Sequence, residues 1–370
     1  MIAVALSAVM TIAAAPPVVA PRQWPAFRGD AQLTGLASGD LPDAPALVWT
    51  FEAPSGIEST AAVLDGSVYF GSLDGTLFCL SFLDGALKWK YDAGAAIKSS
   101  PSVFDGTVYF GDDNGTFHAV DAASGKRRWT FATEAAIVSS ATKASGKVIF
   151  GSNDNNLYAV SIADGKLAWK LATGSYIYST PALAPGKGDP AVVSTGCDGF
   201  LRVVRARDGA ELKKISLGAY VGASAAVKDG KAYVGTFENQ VLGIDLPSAK
   251  ILWTYEHPER KFPYYSSAAL GEDLVVIGGR DRMVHALRAA DGREAWSYAA
   301  GAKVDASPVI VKDRVVTATT GGDILVLGLR QGDLRWRYET GSSIVASPSV
   351  AQGRLLIGTS GGRMLAFGGK

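Results

Sequence analysis

Two cysteines in 370 residues, Cys79 and Cys197, stand 118 positions apart. That excludes a disulfide framework and any Cys-x-x-Cys metal knuckle, and both are read as unpaired thiols. The three histidines, His118, His257 and His285, are scattered singly and make no zinc motif. Neither sign of charge dominates: 36 Lys and Arg face 35 Asp and Glu. This balance leaves no basic tract for nucleic acid and no polybasic membrane surface. No stretch keeps a helical period. One apolar run is long, "MIAVALSAVMTIAAA" at the start, and it is too short for a transmembrane helix.

That run reads as the hydrophobic part of an export signal. No Lys or Arg precedes it, Pro16 and Pro21 spoil two cleavage points, and no cysteine follows it to carry a lipid. The expected organisation is a leader over 1–20, an N-terminal extension over 21–46 and one repeating domain over 47–370. The expected location is the periplasm or the medium, with no membrane span in the mature chain, which is read as a monomer.

What the sequence holds in abundance is glycine, 43 residues, and a recurring tryptophan. Trp49, Trp89, Trp129, Trp169, Trp253, Trp296 and Trp336 follow one another at intervals of 40, 40, 40, 84, 43 and 40 residues. The interval of 84 is a double step in which Lys213 takes the tryptophan's place, so the chain carries eight repeats, one degenerate. Each repeat opens on a Ser/Thr-Pro or Ser-Ala pair such as Ser100-Pro101. Then come an alternating run, an Asp-Gly turn, a β-branched and aromatic run ("VYFG", "VIFG"), a second polar turn, and a third run ("TFHAV", "NLYAV"). A last Gly turn leads into the tryptophan strand. Short alternating runs joined by Asp-Gly and Asn-Gly turns are hairpin chemistry, because those residues tolerate positive φ.

Four short antiparallel strands every forty-odd residues describe a propeller blade, and blades must stack in a ring to bury both faces. The fold class is therefore all-β, an eight-bladed propeller of four-stranded antiparallel blades. The tryptophan sits on the outer strand and fills the gap to the next blade, with small residues such as Ala119 and Ala159 leaving it room. Truncating such a residue typically costs about 3–5 kcal/mol, so Lys213 is expected to mark the weakest seam. The last repeat stops after three strands, and "LVWTFEA" from Leu47 to Ala53 supplies the fourth. Pairing the two closes the ring and removes a sheet edge.

The pattern filled by Ala119, Asp121, Ser124, Gly125 and Trp129 resembles the tryptophan-docking repeat of the pyrroloquinoline-quinone (PQQ) propeller superfamily. "WPAFRG" from Trp24 to Gly29 is similar to the segment that often precedes the first blade in that superfamily. The resemblance covers residues 24 to 370. It implies either a quinoprotein dehydrogenase or a non-catalytic relative of the BamB-like outer-membrane assembly propellers. Quinoprotein alcohol dehydrogenases carry long insertions and an adjacent cysteine pair, whereas here the connections are minimal and the cysteines isolated. The resemblance thus implies a non-catalytic scaffold that binds other envelope proteins, with no cofactor and no metal. The alternative is a PQQ-dependent oxidoreductase using PQQ and Ca²⁺.

In a propeller the start of each inner strand rings one mouth of the central channel. By alignment these positions are Glu58, Lys98, Val138, Tyr178, Gly222, Tyr265, Asp305 and Val345, with Tyr176, Tyr220, Tyr264 and Lys303 nearby. The partner-binding sector expected from aromatic enrichment is Tyr176, Tyr178, Tyr220, Tyr264 and Tyr265. Beside it lies the lengthened connection "EHPERKFPYY", with Arg260 and Lys261. A glycan at this mouth is a third reading. Under the oxidoreductase alternative, Asp305 is the base, Glu58 a metal ligand, and Lys98 or Lys303 partners for quinone carboxylates. "RGD" at Arg28 to Asp30 is read as chance, and the acidic turns at Asp112–Gly115 and Asn153–Asn156 as turn geometry. The widened hairpin Ala184–Pro190 is read as an idle insertion.

Overall fold

The first repeat sets the unit: strands at Ala62–Leu64, Ser67–Gly71, Thr76–Ser81 and Leu87–Asp92 pair antiparallel in chain order. In this computed structural model, which describes residues 23–184 and 189–369, that unit recurs as eight sheets. The leader lies outside the described residues, as does the centre of the widened hairpin. Inner strands of neighbouring blades touch, the second and third blades are joined through Ser100 and Ser140, and the first blade's inner strand touches the eighth's, so the ring is closed. Closure runs as the sequence implies: Ala46–Glu52 pairs antiparallel with Arg363–Gly368, placing Trp49 opposite Ala366.

The opening Ser/Thr-Pro pairs have a structural cause. The N–H of Thr60 donates to Ser100 Oγ in the next blade at 2.9 Å, and Ser100 to Ser140 Oγ at 3.0 Å. The same bond recurs through Thr180, Ser224, Ser267, Ser307 and Ser347. Every hydroxyl in this belt is buried, where an unpaired group would cost about 1–3 kcal/mol. The glycine ending each "VYFG" run has a steric cause. A Cβ at Gly111 would come within 2.2 Å of Ile137 of the next blade, and one at Gly358 within 2.3 Å of Ile57.

The tryptophans face the following blade in the same repeated way. Trp129 Nε1 donates to the Ile162 carbonyl at 3.1 Å, and the indole covers Gly165, where a Cβ would sit 2.5 Å from the ring. Trp49, Trp89, Trp169, Trp253 and Trp296 do likewise over Gly85, Gly125, Gly209, Gly292 and Gly332. Opposite them in the sheet stand Ala366, Cys79, Ala159, Gly243 and Ala286, all small.

Two seams differ. Lys213 Nζ donates to the Pro247 carbonyl, standing in for the indole N–H. The glycine is replaced there by Ala249 at φ 56° and the small partner by Val203. Lysine and alanine are thus complementary, since an indole could not lie on that Cβ. Trp336 faces the eighth blade, whose outer strand comes from the N-terminus and brings no turn glycine. Its ring meets Phe367 edge-on at 5.6 Å instead.

The extension ahead of the ring forms a strap across one end of the channel. Trp24 makes a two-way bridge to Val63 in the first inner strand, at 2.9 and 2.7 Å. The Pro25, Ala31, Gln32, Thr34 and Gly35 carbonyls then accept N–H bonds from Val103, Leu183, Val227, Leu270 and Ile310. Leu36–Ala37 adds a short parallel strand to Val309–Val311. Trp24, Leu33 and Leu41 are buried, as is Arg28, whose Nη2 donates to the carbonyls of Ala268 and Pro308. Burial pulls the Arg28 guanidinium down to about 9. Of the "RGD" letters Arg28 is thus buried, and the half-buried Asp30 carboxylate accepts the N–H groups of Gln32 and Thr34, so the three present no exposed ligand.

Candidate functional site at the open end of the channel

The strap bonds fall at Val63, Val103 and their equivalents, five residues beyond Glu58 and Lys98. At about 3.3 Å per strand residue, that is roughly 16 Å along the axis. The mouth ringed by Glu58, Lys98 and Tyr178 is thus the end opposite the strap.

A second ring of side chains joins it. In every blade the second residue of the turn between strands two and three donates its N–H to the inner loop of its own blade. Leu73 bonds to Gly56, Asp113 to Ala96, Asn153 to Ala136, and Cys197 to Tyr176; Phe237 bonds to Tyr220, Arg280 to Pro263, Thr320 to Lys303, and Ser360 to Ser343. These turns bring Asp113, Phe237 and Arg280 against the ring predicted from sequence. Lys98 Nζ binds Asp113 Oδ2 at 2.7 Å, which holds the ammonium above its ordinary pKa. Arg280 grips both oxygens of Asp305, at 2.9 and 2.8 Å, and is raised by that pair in turn. Its guanidinium lies 3.5 Å over the Tyr265 ring, which stacks on Phe237 at 4.6 Å. Alignment of the second turns carries the signal for Phe237 and Arg280.

Of the predicted aromatic sector, Tyr176, Tyr220 and Tyr265 are exposed, by 48%, 60% and 41%. Tyr178 is half-buried and meets Tyr176 edge-on at 6.0 Å. Burial raises its phenol pKa, with the neighbouring Cys197 adding to the effect. Tyr264 corrects the sequence reading. It is 2% exposed, occupying the position filled by buried Ile57, Ile97, Ile137 and Ile177 in other blades, with its Cβ against Gly235. Adjacent residues on an extended segment point opposite ways, so Tyr264 and Tyr265 cannot share the mouth.

Arg260 is exposed but tied by Nη1 to the Asp281 carbonyl at 3.0 Å. Phe262 of the same connection, unremarked in the sequence, is 50% exposed. Lys303 is exposed and Glu58 half-buried. Tyr220 stands between two clefts. One, of about 570 Å³, is lined by Phe200, Lys214 and Phe237, and the other, of about 730 Å³, by Gln240, Glu256 and Lys261.

The mouth does not suit a quinone held on a divalent cation. Asp305, the base that such chemistry would use, is already gripped at both oxygens by Arg280. Among the described residues no three His, Cys, Asp or Glu side chains converge as a metal donor set. Nor is any helix among them long and apolar enough to cross a membrane. The acidic turn at Asp112 has a structural role, its Oδ1 accepting the N–H groups of Asn114 and Thr116 while Oδ2 meets buried His118 Nε2 at 2.9 Å.

Comparison with known proteins gives relatives of both kinds. The chain is 39% identical over 90 residues to outer membrane protein assembly factor BamB of Xanthomonas campestris pv. campestris, covering 22% of each. It is 29% identical over 117 residues to the quinoprotein alcohol dehydrogenase PedH of Pseudomonas putida, covering 29% of this chain and 20% of that one. Each match thus spans only about a fifth of the relative's length. The crystal structure of BamB from Moraxella catarrhalis superposes with a TM-score of 0.74 at 18% identity, over 88% of this chain and all of that one, a likeness of fold. The profile of the family described as outer membrane protein assembly factor BamB matches residues 42–194 and 197–369, and the chain belongs to that family of PQQ-repeat propellers.

Proposed function

We propose that this chain is a non-catalytic scaffold of the cell envelope that binds other proteins at the open end of its channel, in the assembly of outer-membrane proteins. The observation that carries this reading is Tyr265 held between Arg280 and Phe237, with Tyr176 and Tyr220 exposed on the inner loops of the two preceding blades. Large rigid aromatics next to arginine bury area at small entropic cost, which is how protein interfaces concentrate their energy. Glu58, Lys98 and Lys303 supply a charged rim around it. Family membership supports the same reading, and the apolar leader supports export.

The relation to PedH favours a second reading, a PQQ-dependent oxidoreductase. Two measurements separate them. Calorimetry with PQQ and Ca²⁺, alongside dye-linked alcohol oxidation, is expected to give neither binding nor turnover. Pull-down from solubilised envelopes is expected to recover outer-membrane assembly proteins with the wild-type chain and to lose them with Tyr176→Ala/Tyr220→Ala. Turnover with PQQ, or recovery unaffected by the double substitution, overturns the scaffold reading.

A further inference from the structure

We infer that the inner edge of the third blade, at the strapped end of the channel, docks one residue of an extended polypeptide. A backbone carbonyl of that peptide meets the Lys143 N–H, and its apolar side chain enters the adjoining cavity.

The strap bonds to the inner strands of six blades, always at the same register position: Val63, Val103, Leu183, Val227, Leu270 and Ile310. In the third blade that position is Lys143, the middle residue of Thr142–Ala144. Its N–H points where the others do, and no strap carbonyl reaches it. The reason lies in the strap. Residues 26–30 turn sharply, with Arg28 and Gly29 at φ 66° and 85° and the Gly29 N–H bonded to the Ala26 carbonyl. That turn carries Arg28 across to blades six and seven, and the strap rejoins the wall only at Ala31.

Where the strap leaves the wall a cavity of about 260 Å³ opens, lined by Phe27, Leu33, Val103, Phe104 and Ala141. It is smaller than sites for drug-sized ligands, which start near ~300 Å³, and suits a single side chain. The cation at its rim is already neutralised, since Lys143 Nζ binds Asp105 Oδ2 at 2.6 Å, and the Thr142 hydroxyl is committed to the Pro181 carbonyl. Among the described residues the donor left over at this cavity is the Lys143 N–H, and the group that satisfies such donors in six other blades is a peptide carbonyl. A neutral amide on an apolar stem fits this edge better than a carboxylate, as in strand-addition recognition.

The test is a titration of the ¹⁵N-labelled full chain with N-acetyl-leucine methylamide and, separately, with hexanoate. The amide is expected to shift the residue-143 N–H resonance saturably in wild type and in Lys143→Ala, and hexanoate is not. Measured against Lys143→Ala, Lys143→Pro removes the donor at an edge position where proline is tolerated, and should weaken binding about tenfold, read at Val103 and Ala141. Should that variant not fold, wild type and Lys143→Ala still decide. The absence of a saturable shift up to the solubility limit overturns the proposal. So does equal binding of hexanoate, or unchanged binding in Lys143→Pro.

Discussion

The two ends of the channel are built from different parts of the chain, and the difference separates stability from recognition. The strapped end is closed by backbone: carbonyls of residues 24–35 on inner-strand N–H groups, with Trp24, Leu33 and Arg28 buried beneath. The open end is finished by side chains, namely exposed Tyr176 and Tyr220 and the stack of Tyr265 on Arg280, which is paired with Asp305. Backbone bonds hold whatever the side chains are, so the first end is suited to fixing the ring. The second can vary residue by residue over a scaffold that does not move.

The largest effect is expected from removing the strap. A chain starting at Ala44 keeps the closing strand Ala46–Glu52 but exposes the six inner edges that the strap covers. It loses several hydrogen bonds of about 1 kcal/mol each and the burial of Trp24, Leu33 and Leu41, worth roughly 2–3 kcal/mol apiece. Thermal unfolding should fall by on the order of 10 °C, while binding at the open mouth survives below the new midpoint. An unchanged midpoint would mean that the strap is decoration and that the contrast between the two ends is false.

Next comes a seam. Trp129→Ala should cost about 3–5 kcal/mol by denaturant titration, because it removes an indole packed on Gly165 and its bond to Ile162. Lys213→Ala should cost no more than about 1 kcal/mol, as an exposed hydrogen bond does. Lys213→Trp alone is expected to destabilise by about 1–3 kcal/mol, since Ala249 and Val203 fill the space an indole needs. Adding Ala249→Gly and Val203→Ala should recover that loss and exceed wild type. If Lys213→Trp stabilises by itself, the alanine and the lysine are not a matched pair.

These seams show what was legible in the sequence. The tryptophan period, the small residues opposite it and the strand missing from the last repeat are all local patterns, and the ring and its closure follow from them. The strap is not local. Its bonds run between main-chain atoms of "WPAFRGDAQLTG" and strands up to 275 residues away, as Gly35 to Ile310 shows, and backbone bonding leaves no side-chain signature. Aromatic enrichment alone counts Tyr264 into the sector, whereas the alignment that sets Tyr265 beside Glu58 and Tyr178 sets Tyr264 beside Ile57 and Ile177, buried in their own blades. Arg280 and Phe237 were overlooked because turn residues look interchangeable until the turns are stacked around an axis.

A smaller effect is expected from pH, and it reaches the open-end loops through blade six. Burial works against a charged His285, but hydrogen bonds to Asp281 and Glu294 outweigh it and raise its pKa above the ordinary value. The His285 hydrogen bond in turn lowers Glu294 to about 2. A raised histidine contributes stability that is complete below its unfolded pKa of about 6.5 and is lost as pH rises through its folded value. The lowered glutamate contributes above about 4.5 and is lost as pH falls toward 2. Wild type should therefore exceed His285→Gln in stability most between roughly pH 4.5 and 6.5, with the margin shrinking toward pH 9. A margin flat across that range would show that His285 stays neutral. Asp281, Glu294, Tyr255, Tyr264 and His257 are the polar groups facing it.

The smallest change in stability is expected where the change in binding is greatest. Tyr220 stands 60% exposed between its two clefts, so Tyr220→Ala removes almost no buried area and should shift stability by less than about 0.5 kcal/mol. Tyr176→Ala should behave alike. Tyr265→Ala should cost more, since its ring lies between Phe237 and Arg280. Thermal unfolding and partner recovery measured on the same preparations separate the two roles. Binding lost at an unchanged midpoint assigns the open end to recognition, whereas binding that falls only in step with the midpoint returns these tyrosines to the scaffold.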